Sequence, residues 1–262
     1  MNDPTGAKIA RSAPEALQDK AELPWGRMAL LAALAGVFIG FGSIAFLIVQ
    51  ADAAPITGSA QLLSGAAFSV GLVLVMVTGA ELFTGNTMFA LPAAVHRLTG
   101  QRLIGAWAVA WLGNLIGSVA LAALFVAAGG LEGLEGEVGE AAARVARDKL
   151  EKGPAAALAS GVLANILVCL AVWMAMSARS IPAKVLAIIG PVTIFVAAGF
   201  EHSVANMSLI PIGMLAGAGG SAAAIASNLL FSTIGNIAGG TLVSLALGFG
   251  HGQTSPDDDR DE

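Results

Sequence analysis

Residues capable of chemistry are few in this chain, and two of them stand side by side inside an otherwise apolar run. The stretch Gly199-Phe200-Glu201-His202-Ser203-Val204-Ala205-Asn206 places a carboxylate and an imidazole where a lipid-buried helix normally carries neither. Ionisable groups at bilayer depth are costly and face a cavity or a transport route. A second stretch 120 residues earlier, Gly79-Ala80-Glu81-Leu82-Phe83-Thr84-Gly85-Asn86, shares the pattern G-x-E-x-x-x-x-N, and Pro92 and Pro211 follow at similar distances. His202 is the only histidine within an apolar run, since His96 and His251 lie at ends. An imidazole there can donate a hydrogen bond or a proton near physiological pH. Glu201 is read as accepting from loop backbone donors or a neighbouring helix in preference to facing a pore, with Glu81 as its structural twin. Thr84 can present its hydroxyl to a substrate or to His202, or cap the helix that resumes there.

The elements that must position these groups are membrane helices. Hydrophobic residues make up 56% of the 262 residues and charged residues 12%, about half the share typical of a soluble domain, roughly 25%. The charges gather in the N-terminal tail, in residues 132–152 and in the C-terminal tail, leaving uncharged runs long enough to span a bilayer. The net charge of −5 comes mostly from tails and loops, and no basic stripe or aromatic platform offers a nucleic-acid surface. Cys169, the single cysteine, permits no internal disulfide and reads as a small packing residue.

The fold class expected is an all-α membrane protein with six transmembrane helices. An N-terminal segment, residues 1–24, carries Ser12-Ala13-Pro14-Glu15, which resembles a capping box opening a short amphipathic helix on the membrane surface or beside the bundle mouth. The channel domain spans 25–250. Its spans are expected at about 25–49, 61–95 with an interruption at the first motif, 103–128, 154–176, 183–215 with an interruption at the second, and 222–249. Within the interrupted spans the helix is expected to resume near Thr87 and near Asn206. Residues 129–153 read as an acid-rich connecting loop, and 251–262 as a disordered acidic tail. Six spans put both termini on one side. That side holds Lys8, Arg11, Lys20, Arg27, Arg97, Arg102, Arg179, Lys184 and Arg260, against Arg144, Arg147, Lys149 and Lys152 on the other. Nine against four makes the termini cytoplasmic by the positive-inside bias.

The halves match again at Gly113-Asn114-Leu115-Ile116-Gly117 and Gly235-Asn236-Ile237-Ala238-Gly239, at an offset of 122 residues. Two ordered matches at nearly one offset indicate an internal repeat, about 25–128 and 154–249. Three spans per half force opposite orientations, the pattern of transporters whose site lies at mid-membrane. Close packing is the main reading of Asn114 and Asn236. A helix broken in lipid is tolerable only in protein or along a cavity. Two half-helix N-termini meeting there favour a small anion. Phe68, Leu72, Leu82, Phe83, Phe195 and Phe200 surround the breaks and read either as plain core or as constrictions that stop hydrated ions.

Glu81-Leu82-Phe83-Thr84-Gly85-Asn86, the stretch 199–206, and Asn165-Ile166-Leu167-Val168-Cys169-Leu170-Ala171-Val172-Trp173 between them resemble the formate/nitrite transporter family over about residues 25–248. The resemblance implies an aquaporin-like protomer with broken second and fifth helices, a homopentamer with one pore per protomer, and conduction of small monovalent weak-acid anions such as formate, nitrite, hydrosulfide, acetate or lactate. By motif position His202 matches the central histidine and Thr84 its facing threonine, while Asn165 and Asn206 match polar residues near them. Phe68, Leu72, Leu82, Phe83 and Phe195 match the constriction set, and Lys149 the lysine of the outer vestibule, its alternative being a solvated loop charge. Glu201 is kept with these in the substrate pathway. Lys184 reads as a snorkelling residue at a helix start.

The mechanism expected has a cationic vestibule concentrate the anion and desolvation between constrictions raise its proton affinity. His202 then supplies a hydrogen bond or a proton, so that anion and proton are the transported partners and the inner membrane is the site of action. No cofactor or metal is called for. A water or neutral-solute facilitator is the nearest rival, although Asn86-Thr87 and Asn206-Met207 lack the Asn-Pro-Ala signature of aquaporins. An intramembrane enzyme would need a second in-span histidine or an arranged nucleophile, which the spans do not show.

Overall fold

The computed structural model describes residues 6–52 and 57–253, so the tail expected to be disordered, 251–262, lies outside the described residues from 254 onward, whereas 251–253 fold back on the end of the last helix with Gln253 buried. Every regular element described is helical: α1 (Gly6–Ala21), α2 (Trp25–Asp52), α3 (Gly58–Thr78), α4 (Phe83–Asn86), α5 (Ala90–Ala94), α6 (Gly100–Ala127), α7 (Glu137–Glu151), α8 (Pro154–Ser177), α9 (Ile181–Ala197), α10 (Ser203–Leu215) and α11 (Ala222–Gly250), with 3-10 turns at Thr87–Phe89 and Gly130–Gly136. Five of these, α2, α3, α6, α8 and α11, are long and apolar enough to cross a membrane. The pair α9 and α10 supplies two shorter apolar helices.

Both interruptions are made by the same backbone device. Gly79 and Gly199 adopt left-handed conformations, φ 75° and 66°, which end a helix at little steric cost in glycine. Ala80 N–H then reaches back to Val75 O at 3.1 Å, and Phe200 N–H to Phe195 O at 3.0 Å, the six-to-one bond of a Schellman terminus. Leu82 and His202 follow in extended conformation, each as the N-cap of the next helix. The helices therefore resume at Phe83 and Ser203, not near Thr87 and Asn206 as the sequence suggested. The N-terminal N–H groups at the breaks are thus those of residues 83 and 203 onward.

The asparagines of the repeated G-N-x-x-G pattern hold both breaks. Asn114 Oδ1 accepts from Phe83 N–H at 2.8 Å while its Nδ2 donates to Glu81 O and Ala32 O at 2.9 and 2.8 Å. Asn236 Oδ1 accepts from Ser203 N–H at 2.8 Å while its Nδ2 donates to Glu201 O and Gly161 O at 3.0 and 2.8 Å. The flanking glycines admit the neighbouring helix: a Cβ on Gly117 would stand 1.9 Å from Ala33 O, and one on Gly239 2.2 Å from Val162 O. Packing and hydrogen bonding thus share the motif, and the asparagines satisfy backbone groups that a break would otherwise leave bare.

The resumed helix of the second half is continuous, whereas that of the first is divided by the 3-10 turn. Side chains explain the division. Trp107 Nε1 donates to Asn86 O at 2.8 Å, and Asn165 Nδ2 and Thr87 Oγ1 donate to Thr84 O at 3.1 and 2.6 Å.

Two amphipathic helices flank the apolar bundle. The segment 129–153, expected as a loop, contains α7, whose buried face is Val138, Ala141, Ala142, Val145 and Ala146. At the other end α1 buries Ala10, Ala13, Pro14, Leu17 and Ala21. Ser12 lies inside α1, its hydroxyl donating to Ile9 O at 3.2 Å. The capping box is therefore absent there, because the helix is already under way by Gly6. α1 precedes the start of α2, and Arg144 of α7 donates to Gln50 O near its end. A helix of 28 residues is about 42 Å long, so α1 and α7 mark opposite mouths of the bundle.

Candidate functional site

Three cavities follow one another between these mouths. That at the α7 mouth, about 220 Å³, is lined among others by Lys149, Lys152, Glu201, Phe68, Phe195 and His202. A small one, about 10 Å³, is shared by Phe68, Phe195 and His202 on one side and by Leu72 and Leu82 on the other, with only aliphatic side chains besides. The third, about 140 Å³ at the α1 mouth, begins at Leu72 and Leu82 and includes Lys20 and Asn86. The shared residues order the three into a single file. A space of about 10–15 Å³ is the minimum for one water, so the middle is nearly closed and a larger solute needs side chains to move.

His202 sits at this centre because the chain is extended at its position and α10 begins immediately after. Its Nδ1 accepts from Ala205 N–H at 3.0 Å, capping α10. A ring nitrogen that accepts carries no hydrogen, so the neutral ring is protonated at Nε2, a tautomer assigned from these partners. Nε2 lies 2.9 Å from Thr84 Oγ1 and donates to it. The threonine hydroxyl hydrogen then has no acceptor among the described residues and remains available to a third group. Phe195 stacks on the imidazole, ring centroids 5.6 Å apart at 24°, and meets Phe68 edge-on at 5.8 Å. The polar edge of His202 and Thr84 is thereby set within an apolar collar.

Glu201, 1% exposed, faces the α7 cavity and is surrounded by donors. Lys152 Nζ lies 2.7 Å from Oε1, Lys149 Nζ 3.3 Å from Oε2, and Asn206 and Asn228 donate to Oε2 at 2.6 and 3.2 Å. A buried carboxylate with this many partners is a built feature. Lys149 is thus a charge seated in the cavity wall, not one dissolved in a loop. Its counterpart, Glu81, meets Lys20 of α1 at 3.0 Å, with no partner for its Oε2 among the described residues.

Of the residues singled out from sequence, His202, Glu201, Lys149, Phe68, Leu72, Leu82, Phe195 and Phe200 line this path, and Thr84, which lines none of the three cavities, adjoins it through its hydrogen bond to His202. Asn165, Asn206 and Phe83 line none of the three cavities. Asn165 Nδ2 ties Thr84 O, Thr87 Oγ1 and Asn236 O together behind the histidine, at 3.1, 2.9 and 2.6 Å. Asn206 lies between Glu201 and Asn228, and Phe83 packs in the core. Lys20, Lys152 and Asn228 were not anticipated. A signal existed for Lys20: it precedes Lys149 by 129 residues, the offset that also relates Ala32 to Gly161, both bonded by a staple asparagine.

A family model described as formate/nitrite transporter matches residues 7–249. The chain belongs to the formate/nitrite transporter family. Among relatives, a protein described as a probable formate transporter from Methanothermobacter thermautotrophicus is 37% identical, the match covering 92% of this chain and 94% of that one. The formate channel FocA of Escherichia coli (strain K12) is 35% identical, covering 90% of each. A solved pentameric formate channel with formate bound superimposes with a TM-score of 0.77 at 35% identity, covering 83% of this chain and 93% of that one. These relatives are channels and transporters, not enzymes. As a member of the family, with five helices suited to crossing a bilayer, the chain is an integral membrane protein.

Proposed function

We propose that this protein conducts small monovalent weak-acid anions of the formate, nitrite or hydrosulfide class, acetate and lactate included, together with a proton equivalent. The observation that carries the reading is a single imidazole hydrogen-bonded to Thr84 in a nearly closed apolar passage, with a lysine-bearing cavity at each end. Lysines concentrate the anion. Phe68 and Phe195 on one side, and Leu72 and Leu82 on the other, strip its water, and desolvation raises its proton affinity. His202 and the spare hydroxyl hydrogen of Thr84 supply the hydrogen bonds that replace that water. The bond from Ala205 to Nδ1 supports a neutral ring giving a hydrogen bond in this state, because an imidazolium would set two N–H groups against each other.

In this reading the two halves are inverted repeats, about 25–128 and 154–249, of an aquaporin-like six-span protomer in a homopentamer, with 1–24 and 251–262 as flanking segments. Both termini are cytoplasmic in the inner membrane, and the α7 mouth opens outward. The test is a proteoliposome panel of formate, nitrite, hydrosulfide and lactate at two pH values, beside an osmotic-swelling assay. Weak-acid uptake that rises as pH falls is expected. Swelling without weak-acid flux would replace the proposal with a water or neutral-solute facilitator.

A further inference from the structure

At the α7 mouth the paired lysine is held by a neighbour on α11: Asn228 Nδ2 donates to Lys149 O at 2.9 Å. The residue of α6 that corresponds to Asn228 at the 122-residue offset is Ala106, which can do nothing similar. Lys20 is nonetheless held 3.0 Å from Glu81, in the last turn of a helix whose buried face is mostly alanine.

We infer that Arg102, at the start of α6, is the positioning residue that seats Lys20 against Glu81, an inference about the α1 mouth that rests on the anion-conducting reading. Its Nε donates to Ala21 O at 2.7 Å and its Nη2 to Leu23 O. Its guanidinium carbon lies 3.5 Å from the centroid of the Trp25 ring. One planar group thus holds three points of the elbow between α1 and α2. It takes a carbonyl that the end of α1 leaves unsatisfied and stacks on the first residue of α2. Gly105, one turn along α6, leaves room for the indole, since a Cβ there would stand 2.8 Å from Trp25 Cη2. A lysine at 102 offers a compact ammonium with no fork and no plane to stack.

The consequence is electrostatic. Glu81 is 1% exposed, and its Oε2 has no hydrogen-bond partner among the described residues. With Lys20 displaced, the carboxylate loses the cation that faces it and repels an anion approaching through the α1 cavity. Arg102 touches neither the solute path nor Glu81, so it acts through the elbow alone.

Two measurements on the full chain test this. In proteoliposomes, Lys20→Ala and Arg102→Ala should each raise the half-saturating formate concentration several-fold while the maximal rate stays within about twofold. The double variant should be no worse than Lys20→Ala, and Arg102→Lys should recover little. Separately, a spin label at Asp19→Cys on the exposed face of α1 should become more mobile with Arg102→Ala and not with Lys20→Ala, a readout that needs no flux. Unchanged label mobility in Arg102→Ala, or effects on half-saturation that multiply in the double variant, would overturn the assignment. Absence of formate uptake by the parent protein would instead remove the functional reading, leaving the label to decide whether Arg102 sets the elbow.

Discussion

The two helix breaks share a backbone plan and differ in what occupies their N-cap. Each ends at a left-handed glycine, runs through an extended residue, and is held by an asparagine that accepts one N–H and donates to two carbonyls. At that extended residue the first half places Leu82 and the second His202. The mouths diverge likewise: among the described residues Glu201 meets Lys149 of α7, Lys152 just beyond its end and two amides, Glu81 a single lysine of α1. The comparison teaches that the features common to both breaks hold the backbone open, while the proposed chemistry rests on the residues in which they differ.

Changes at the acidic residues should separate the mouths most strongly. Replacing Lys149 and Lys152 together by alanine leaves Glu201 buried without a cation, a loss of roughly 3–5 kcal/mol. A steep fall in the unfolding midpoint in detergent is expected, and an unchanged midpoint would show that Asn206 and Asn228 suffice. Next in size, Asn114→Ala and Asn236→Ala each strand two buried backbone groups at a break, one N–H and one C=O, a cost of roughly 2–4 kcal/mol. The two should lower the midpoint alike, and tolerance of one but not the other would break the parallel. Lys20→Ala should cost about 1 kcal/mol or less, because its side chain is 40% exposed. The smallest effect on stability is expected for His202→Asn, whose amide oxygen can still cap α10. It should fold like the parent yet alter the pH dependence of uptake, which divides the cap from the chemistry.

Much of this was legible in the sequence because it depends on backbone. Gly79 and Gly199 mark the helix ends, and the ionisable pair at 201 and 202 marks the depth of the site. The exact restart of each helix was less legible, since Phe83 and Ser203 owe their first hydrogen bond to asparagines 31 and 33 residues away. α7 escaped notice because its buried face is largely alanine and its approach, at Leu134 and Glu135, is left-handed. The ion pair of Lys20 and Glu81 joins residues 61 apart and is visible only once α1 is seen against the mouth. Asn165 and Asn206 lie near the histidine in space but behind the path, a distinction of a few ångströms that residue type does not encode.

The most direct test of the central claim is the pH profile of formate uptake by the parent protein and by His202→Phe, reconstituted at equal density. If the imidazole serves the passing acid, uptake by the parent rises as pH falls, and the phenyl ring, which can neither donate nor accept, changes that profile. Superimposable profiles in the two proteins would contradict the account.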